Sequence, residues 1–147
     1  MYKNILIATD GSELAQKAVT HGLALAKAVK ASVTIVVATE MWSAMHMAAK
    51  AESDRHAVER YEKAQADWAA TVLSDAAQAA RQSSVHYETV HANDIHPADG
   101  IIKTAQDKGC DLIVMASHGR HGIGRLLLGS VALTVLTHST IPIMIYR

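Results

Sequence analysis

The stretch Asp111-Leu-Ile-Val-Met-Ala-Ser-His-Gly-Arg-His-Gly-Ile-Gly-Arg-Leu-Leu-Leu-Gly-Ser130 constrains this chain more than any other. It begins as an apolar run of strand length, breaks at Ser117 into a loop holding Gly119, Gly122 and Gly124, and regains apolar periodicity only after Gly129-Ser130. Strand, glycine loop and helix start in that order set backbone N–H groups beside the positive end of a helix dipole, an arrangement that holds phosphate. Gly129 before a helix admits a ligand close to the backbone, and Ser130 adds a hydroxyl and an N–H. Spacing alone equally allows the glycines to be turn punctuation. Neither Gly-Lys-Ser/Thr nor Gly-x-Gly-x-x-Gly is present, so any phosphate here is held mainly by backbone groups.

Upstream, the pattern alternates between strand and helix. Ile5 to Ala8 is a continuous apolar strand of the kind buried on both faces, broken by Asp10-Gly-Ser12. From Ser12, a fair N-cap, Leu14, Ala15, Ala18, Val19, Gly22, Leu23, Ala26 and Val29 mark one face of a helix. Val33 to Ala38 is a second strand. Trp42 to Ser53 reads as a loop or an irregular helix start, because Met41, Trp42, Met45 and Met47 are apolar without a clean period. Val58, Tyr61, Ala64, Gln65, Trp68, Ala69, Val72, Leu73, Ala76 and Ala80 then mark a long helix ending near Arg81. Val85 to His91 alternates as a strand near a sheet edge, and Pro97 opens a helix that stops at Gly109. Leu112 to Ala116 is the fourth strand, Ser130 to about His138 the last helix, and Ile141 to Tyr146 the fifth strand.

This alternation predicts an α/β fold, a mostly parallel sheet covered on both faces. If the strand order is 3-2-1-4-5, the winding reverses between strands one and four, where ligands bind in such sheets. The Asp10 loop and the glycine loop would then face each other.

The 147 residues suit one domain, 1–147, burying about two thirds of the surface of the unfolded chain. Lys and Arg number 14, as do Asp and Glu, with no block of like charge, so no broad attraction to nucleic acid or an acidic membrane is expected. No apolar run reaches the ~18 residues of a membrane span, and Met1-Tyr-Lys-Asn leads straight into a strand, so a cytoplasmic protein is expected. Phe is absent, which leaves an aliphatic core, and Cys110 before a strand fits a small buried thiol.

Asp10, at the end of the first strand, is placed to ligate a magnesium ion shared with phosphates or to bond a ribose; capping the following turn is the structural alternative. Arg120 and Arg125 either neutralise phosphate charge or are solvated surface residues. His118 with His121, or His91 with His96, lacks the partners of a zinc site, and no Gly-x-Ser-x-Gly marks a hydrolase.

The chain resembles the universal stress protein (UspA-like) family over essentially its whole length. The resemblance rests on Lys3-Asn-Ile-Leu-Ile-Ala-Thr-Asp-Gly-Ser12, Cys110-Asp-Leu-Ile-Val-Met-Ala-Ser-His-Gly119, Leu127-Leu-Gly-Ser130 and His138-Ser-Thr-Ile-Pro-Ile-Met-Ile-Tyr146. The nucleotide-binding branch of that family carries Gly-x-x-Gly, nine residues, then Gly-Ser or Gly-Thr. Here the motif reads Ala116-Ser-His-Gly119, nine residues, Gly129-Ser130, and the departure is Ala116, whose methyl is either absorbed at the strand end or crowds a ribose or phosphate.

The resemblance implies a Rossmann-like fold, related to the adenine nucleotide alpha hydrolases, that binds ATP with magnesium. Asp10 would meet the ribose or metal beside Ala8 and Thr9, and Ala38 would border the adenine. Met115 and Ala116 would end the strand below, while Ser117, His118, Gly119, Arg120, Gly129, Ser130 and Val131 would cradle the phosphates. It further implies a homodimer pairing the last strands, Ile143 to Tyr146. Two functions stand at this point: a stress-associated regulatory protein binding ATP, with at most slow hydrolysis, and a nucleotide-free homodimeric interaction module. A phosphorylated signalling receiver fits less well, because no second acidic residue accompanies Asp10 in its loop.

Overall fold

The computed structural model describes residues 1–120 and 127–147. Its elements are β1 (Asn4–Ala8), α1 (Glu13–Val29), β2 (Ser32–Glu40), α2 (Ala44–Ser53), α3 (Ala57–Ser83), β3 (Tyr87–Asp94), α4 (Pro97–Asp107), β4 (Leu112–Ala116), α5 (Ser130–His138) and β5 (Ile143–Tyr146). The sheet has five strands in the order β3-β2-β1-β4-β5, and every pairing is parallel.

Alternation along the central strands explains the layers. Ile5, Ile7, Val33, Ile35, Leu112 and Val114 point to one face and bury Val19, Leu23 and Ala26 of α1 with Ala76 and Ala80 of α3. Leu6, Ala8, Val36, Ile113 and Met115 point to the other, against Ala98, Ile101 and Ala105 of α4 and Ala132 and Val135 of α5. Both faces are dry, hence the uninterrupted apolar runs. Gly22 lets α1 lie against β1, since a β-carbon there would stand 2.6 Å from Ile7 Cδ1.

Three segments differ from the sequence expectation. Residues 44–53 form a separate helix, capped by Ser43 Oγ accepting from His46 N at 3.3 Å. It buries no residue, so nothing imposes the apolar period by which it would be recognised. β3 runs from Tyr87 to Asp94 because its pairing with β2 continues to Glu40 opposite Asp94, while Val85 drops into the core before the strand begins. β5 starts only at Ile143, after Pro142, which has no N–H to donate; its carbonyl accepts from Ile113 N at 2.9 Å. Cys110 is buried as expected, and burial raises its thiol pKa. Among the described residues no helix is long and apolar enough to cross a membrane.

Candidate functional site

The winding reverses between β1 and β4, and a cleft of about 930 Å³ opens at their carboxyl ends. Two loops meet there. Asp10 leaves β1 and accepts two backbone hydrogens: Ser12 N donates to Oδ1 at 3.0 Å and Arg120 N to Oδ2 at 2.8 Å. The second bond ties the loop after β4 to the loop after β1, and Gly119 lies so close that a β-carbon would overlap Asp10 Oδ2. Ser12 Oγ accepts from Ala15 N at 3.2 Å and caps α1 as expected, while Asp10, accepting from Ser12 N, caps the turn before it.

Gly129 closes the second loop. Its N–H donates to Ser117 O at 2.7 Å, and a β-carbon on it would stand 3.2 Å from His118 Cα. Gly129 occupies the N-cap of α5, and among the described residues no side chain caps that helix. Its first helical hydrogen bond runs from Leu133 N to Gly129 O at 2.9 Å, which leaves the first-turn N–H groups, those of Ser130 and Val131 among them, directed out of the helix start.

Of the residues singled out in the sequence, Ala8, Thr9, Asp10, Ala38, Met115, Ala116, His118, Gly119, Arg120, Gly129, Ser130 and Val131 line this cleft. Ser117 does not: it is buried, its N–H donates to Tyr146 O at 2.8 Å, and it shapes the loop from behind. Thr9 Oγ1 is occupied by Gly11 N at 3.2 Å. Ala116 contacts Ala15, Ala18 and Tyr146 on the α1 side of the sheet, the opposite side from Ala8 and Met115, so α1 absorbs its methyl. Gly122, Gly124, Arg125 and His121 lie outside the described residues.

The cleft has two unlike sides. Towards α4 and α5 it is apolar, with Ala8, Val36, Ala38, Ala98, Ile101, Met115 and Val131. Towards α3 it is aromatic and polar. Tyr61, Gln65 and Trp68 stand there at one-turn spacing; Tyr61 Oη donates to Glu40 O at 2.7 Å and accepts from Gln65 Nε2 at 3.0 Å, and Trp42 stacks on Tyr61 at 4.1 Å. Arg120 lies over Trp68, its guanidinium carbon 4.0 Å from the ring centroid. Sequence periodicity identifies these three only as part of a helix's apolar period and does not single them out for the site; the available signal is a phenol, an amide and an indole interrupting an alanine-rich face. Thr39, Glu40, His96, Asp99, Thr134 and His138 also line the cleft. His91, paired with Thr39 Oγ1 at 2.7 Å, has its pKa lowered by desolvation. Among the described residues no three His, Cys, Asp or Glu side chains gather as a metal site, so an ion here would need most of its ligands from a bound anion or water.

The Universal stress protein family model matches residues 1–147. Universal stress protein YxiE of Bacillus subtilis (strain 168) is 31% identical over 149 residues, spanning the whole of both chains. The solved structure of MJ0577, a universal stress protein of Methanocaldococcus jannaschii, superposes with a TM-score of 0.80 at 26% identity, covering 99% of this chain and 96% of that one. A universal stress protein in complex with cAMP superposes with a TM-score of 0.73 at 25% identity, covering 99% and 97%. The residues that build the two facing loops are thus set in a sequence and a fold of one kind, and the chain belongs to the universal stress protein family.

Proposed function

We propose that this protein binds an adenine nucleotide, ATP in its working state, as a regulatory ligand in a stress response, with hydrolysis at most slow. The carrying observation is the meeting at one cleft of the Asp10 loop with Gly119, Arg120, Gly129 and Ser130, the start of α5 opening into it. Adenine enters the apolar side between Ala38, Met115 and Val131, an aliphatic slot of the kind that takes a flat heterocycle. The phosphates meet the α5 N-terminus, where backbone N–H groups and the helix dipole favour anions. The relative in complex with cAMP supports an adenine ligand at this fold.

Magnesium fits as an ion carried mainly by phosphates. Asp10 supplies one carboxylate, and both of its oxygens retain acceptor capacity beyond the single N–H each receives. The alternative of a nucleotide-free interaction module drew on Ala116, which lines the cleft; the packing of its methyl with Ala15 and Ala18 of α1 favours the nucleotide reading. We also propose that two chains pair through β5, the sheet edge that exposes Met144, together with exposed Leu133 and Leu136 of α5, and that the protein works in the cytoplasm.

Equilibrium binding of ATP to Gly129→Val tests the site. A valine there must displace Ser117 and His118, so binding is lost while the far-ultraviolet circular dichroism stays native. Unchanged affinity in a folded variant would place the phosphates elsewhere.

A further inference from the structure

Arg120 combines a fixed backbone with a lightly held side chain. Its N–H is anchored on Asp10 Oδ2 at 2.8 Å, and Gly119 before it is wedged against the same carboxylate. Its guanidinium lies over Trp68, 4.0 Å from the ring centroid, and among the described residues it forms no ion pair with a carboxylate. Trp68 is itself held by α3 packing on Val37, Ala69 and Val72. Among the described residues lining the cleft, Arg120 is the one lysine or arginine, whereas Asp10, Glu40 and Asp99 bring three carboxylates.

This charge balance discriminates between ligands. The start of a helix presents about half a positive charge, a fair match for one phosphate held by backbone N–H groups. Each further phosphate adds about one negative charge in a cleft already lined by carboxylates, and needs a mobile cation. A guanidinium on an indole face is held more weakly than one in charge-assisted bonds to phosphate oxygens.

We propose that Arg120 makes this site selective for nucleoside polyphosphates over monophosphates: Trp68 parks the guanidinium inside the cleft, and a β- or γ-phosphate draws it off the ring. The inference rests on the nucleotide reading of the same cleft and adds to it a ligand class, a specificity residue and a positioning residue, Trp68.

The test is titration of the nucleotide-stripped full chain with AMP, ADP and ATP, for wild type, Arg120→Gln, Trp68→Leu and Trp68→Tyr. Wild type binds ATP about tenfold more tightly than AMP. Arg120→Gln brings that ratio close to one, chiefly by weakening ATP. Trp68→Leu lowers the ratio, and Trp68→Tyr, which restores an aromatic face, recovers it. The chain has two tryptophans, so Trp42→Phe leaves Trp68 as the reporter: its emission changes on adding ATP, changes little with AMP, and does not respond to ATP once Arg120→Gln is added.

A ratio equal in wild type and Arg120→Gln, or equal emission changes with AMP and ATP, overturns the Arg120 assignment while leaving the nucleotide site standing. Binding of neither AMP nor ATP to wild type overturns both.

Discussion

A β-carbon at Gly119 would overlap Asp10 Oδ2, so the two loops of the cleft approach as closely as their backbones allow. Gly119→Ala must push the loops apart and break the Arg120 N to Asp10 bond. We expect adenine nucleotide affinity to fall at least about tenfold and stability by about 1 kcal/mol, the usual worth of one such bond; a urea melt beside a binding titration checks both, and an alanine variant that binds normally would refute the close approach. Asp10 is an anchor before it is a ligand. Asp10→Ala therefore weakens ATP binding with or without magnesium, because Ser12 and Arg120 both lose their acceptor, and weakens it further when magnesium is present. Equal losses in both conditions would leave Asp10 the anchoring role alone.

Individual elements differed in how openly the sequence declared them. β1, β4 and α5 sit where the apolar runs placed them, since strands buried on both faces and a helix started by Gly129-Ser130 leave few alternatives. α2 was illegible because a helix that buries nothing carries no period. β3 ran past its apolar residues because backbone pairing with β2, rather than side-chain burial, sets the length of an edge strand. Tyr61, Gln65 and Trp68 marked a helix and nothing more, because periodicity shows which face of a helix avoids solvent, and a cleft wall and a core satisfy that pattern alike. The residues of the facing loops were legible through the glycines, whereas the aromatic wall emerges only from the tertiary arrangement.

The same scale gives a pH prediction. Lys108, which ends α4, pairs with Glu88 of β3 at 2.6 Å, and Thr34 Oγ1 donates to the other carboxylate oxygen at 3.3 Å. The bond from Lys108 holds the Glu88 pKa below its ordinary 4.5. A depressed folded-state pKa means the unfolded chain takes up the proton first, so this contribution is present above about pH 4.5 and fades as acid carries the solution down through the folded value. Lys108→Met should cost less than about 1 kcal/mol near pH 7, because the pair is partly exposed, and nothing at pH 2.5. A urea-midpoint difference that persists at pH 2.5 would mean that packing, and not charge, ties α4 to β3.

Among the described residues, the free edge of the sheet at β5 is left uncovered. β5 ends the sheet with Met144 42% exposed, and α5 shows Leu133 at 52% and Leu136 at 47%, apolar surface that a second copy would cover. Sedimentation should give twice the chain mass, and Met144→Lys should shift the protein toward monomer; a wild-type monomer at tens of micromolar would exclude the pairing. Nucleotide binding in the cleft is tested by calorimetric titration of nucleotide-stripped protein with ATP and magnesium. Saturable heat at one site per chain is expected, with stabilisation of roughly 2.7 kcal/mol and a matching rise in Tm once ATP reaches about 100 times Kd. No heat and no shift in a folded protein would contradict it.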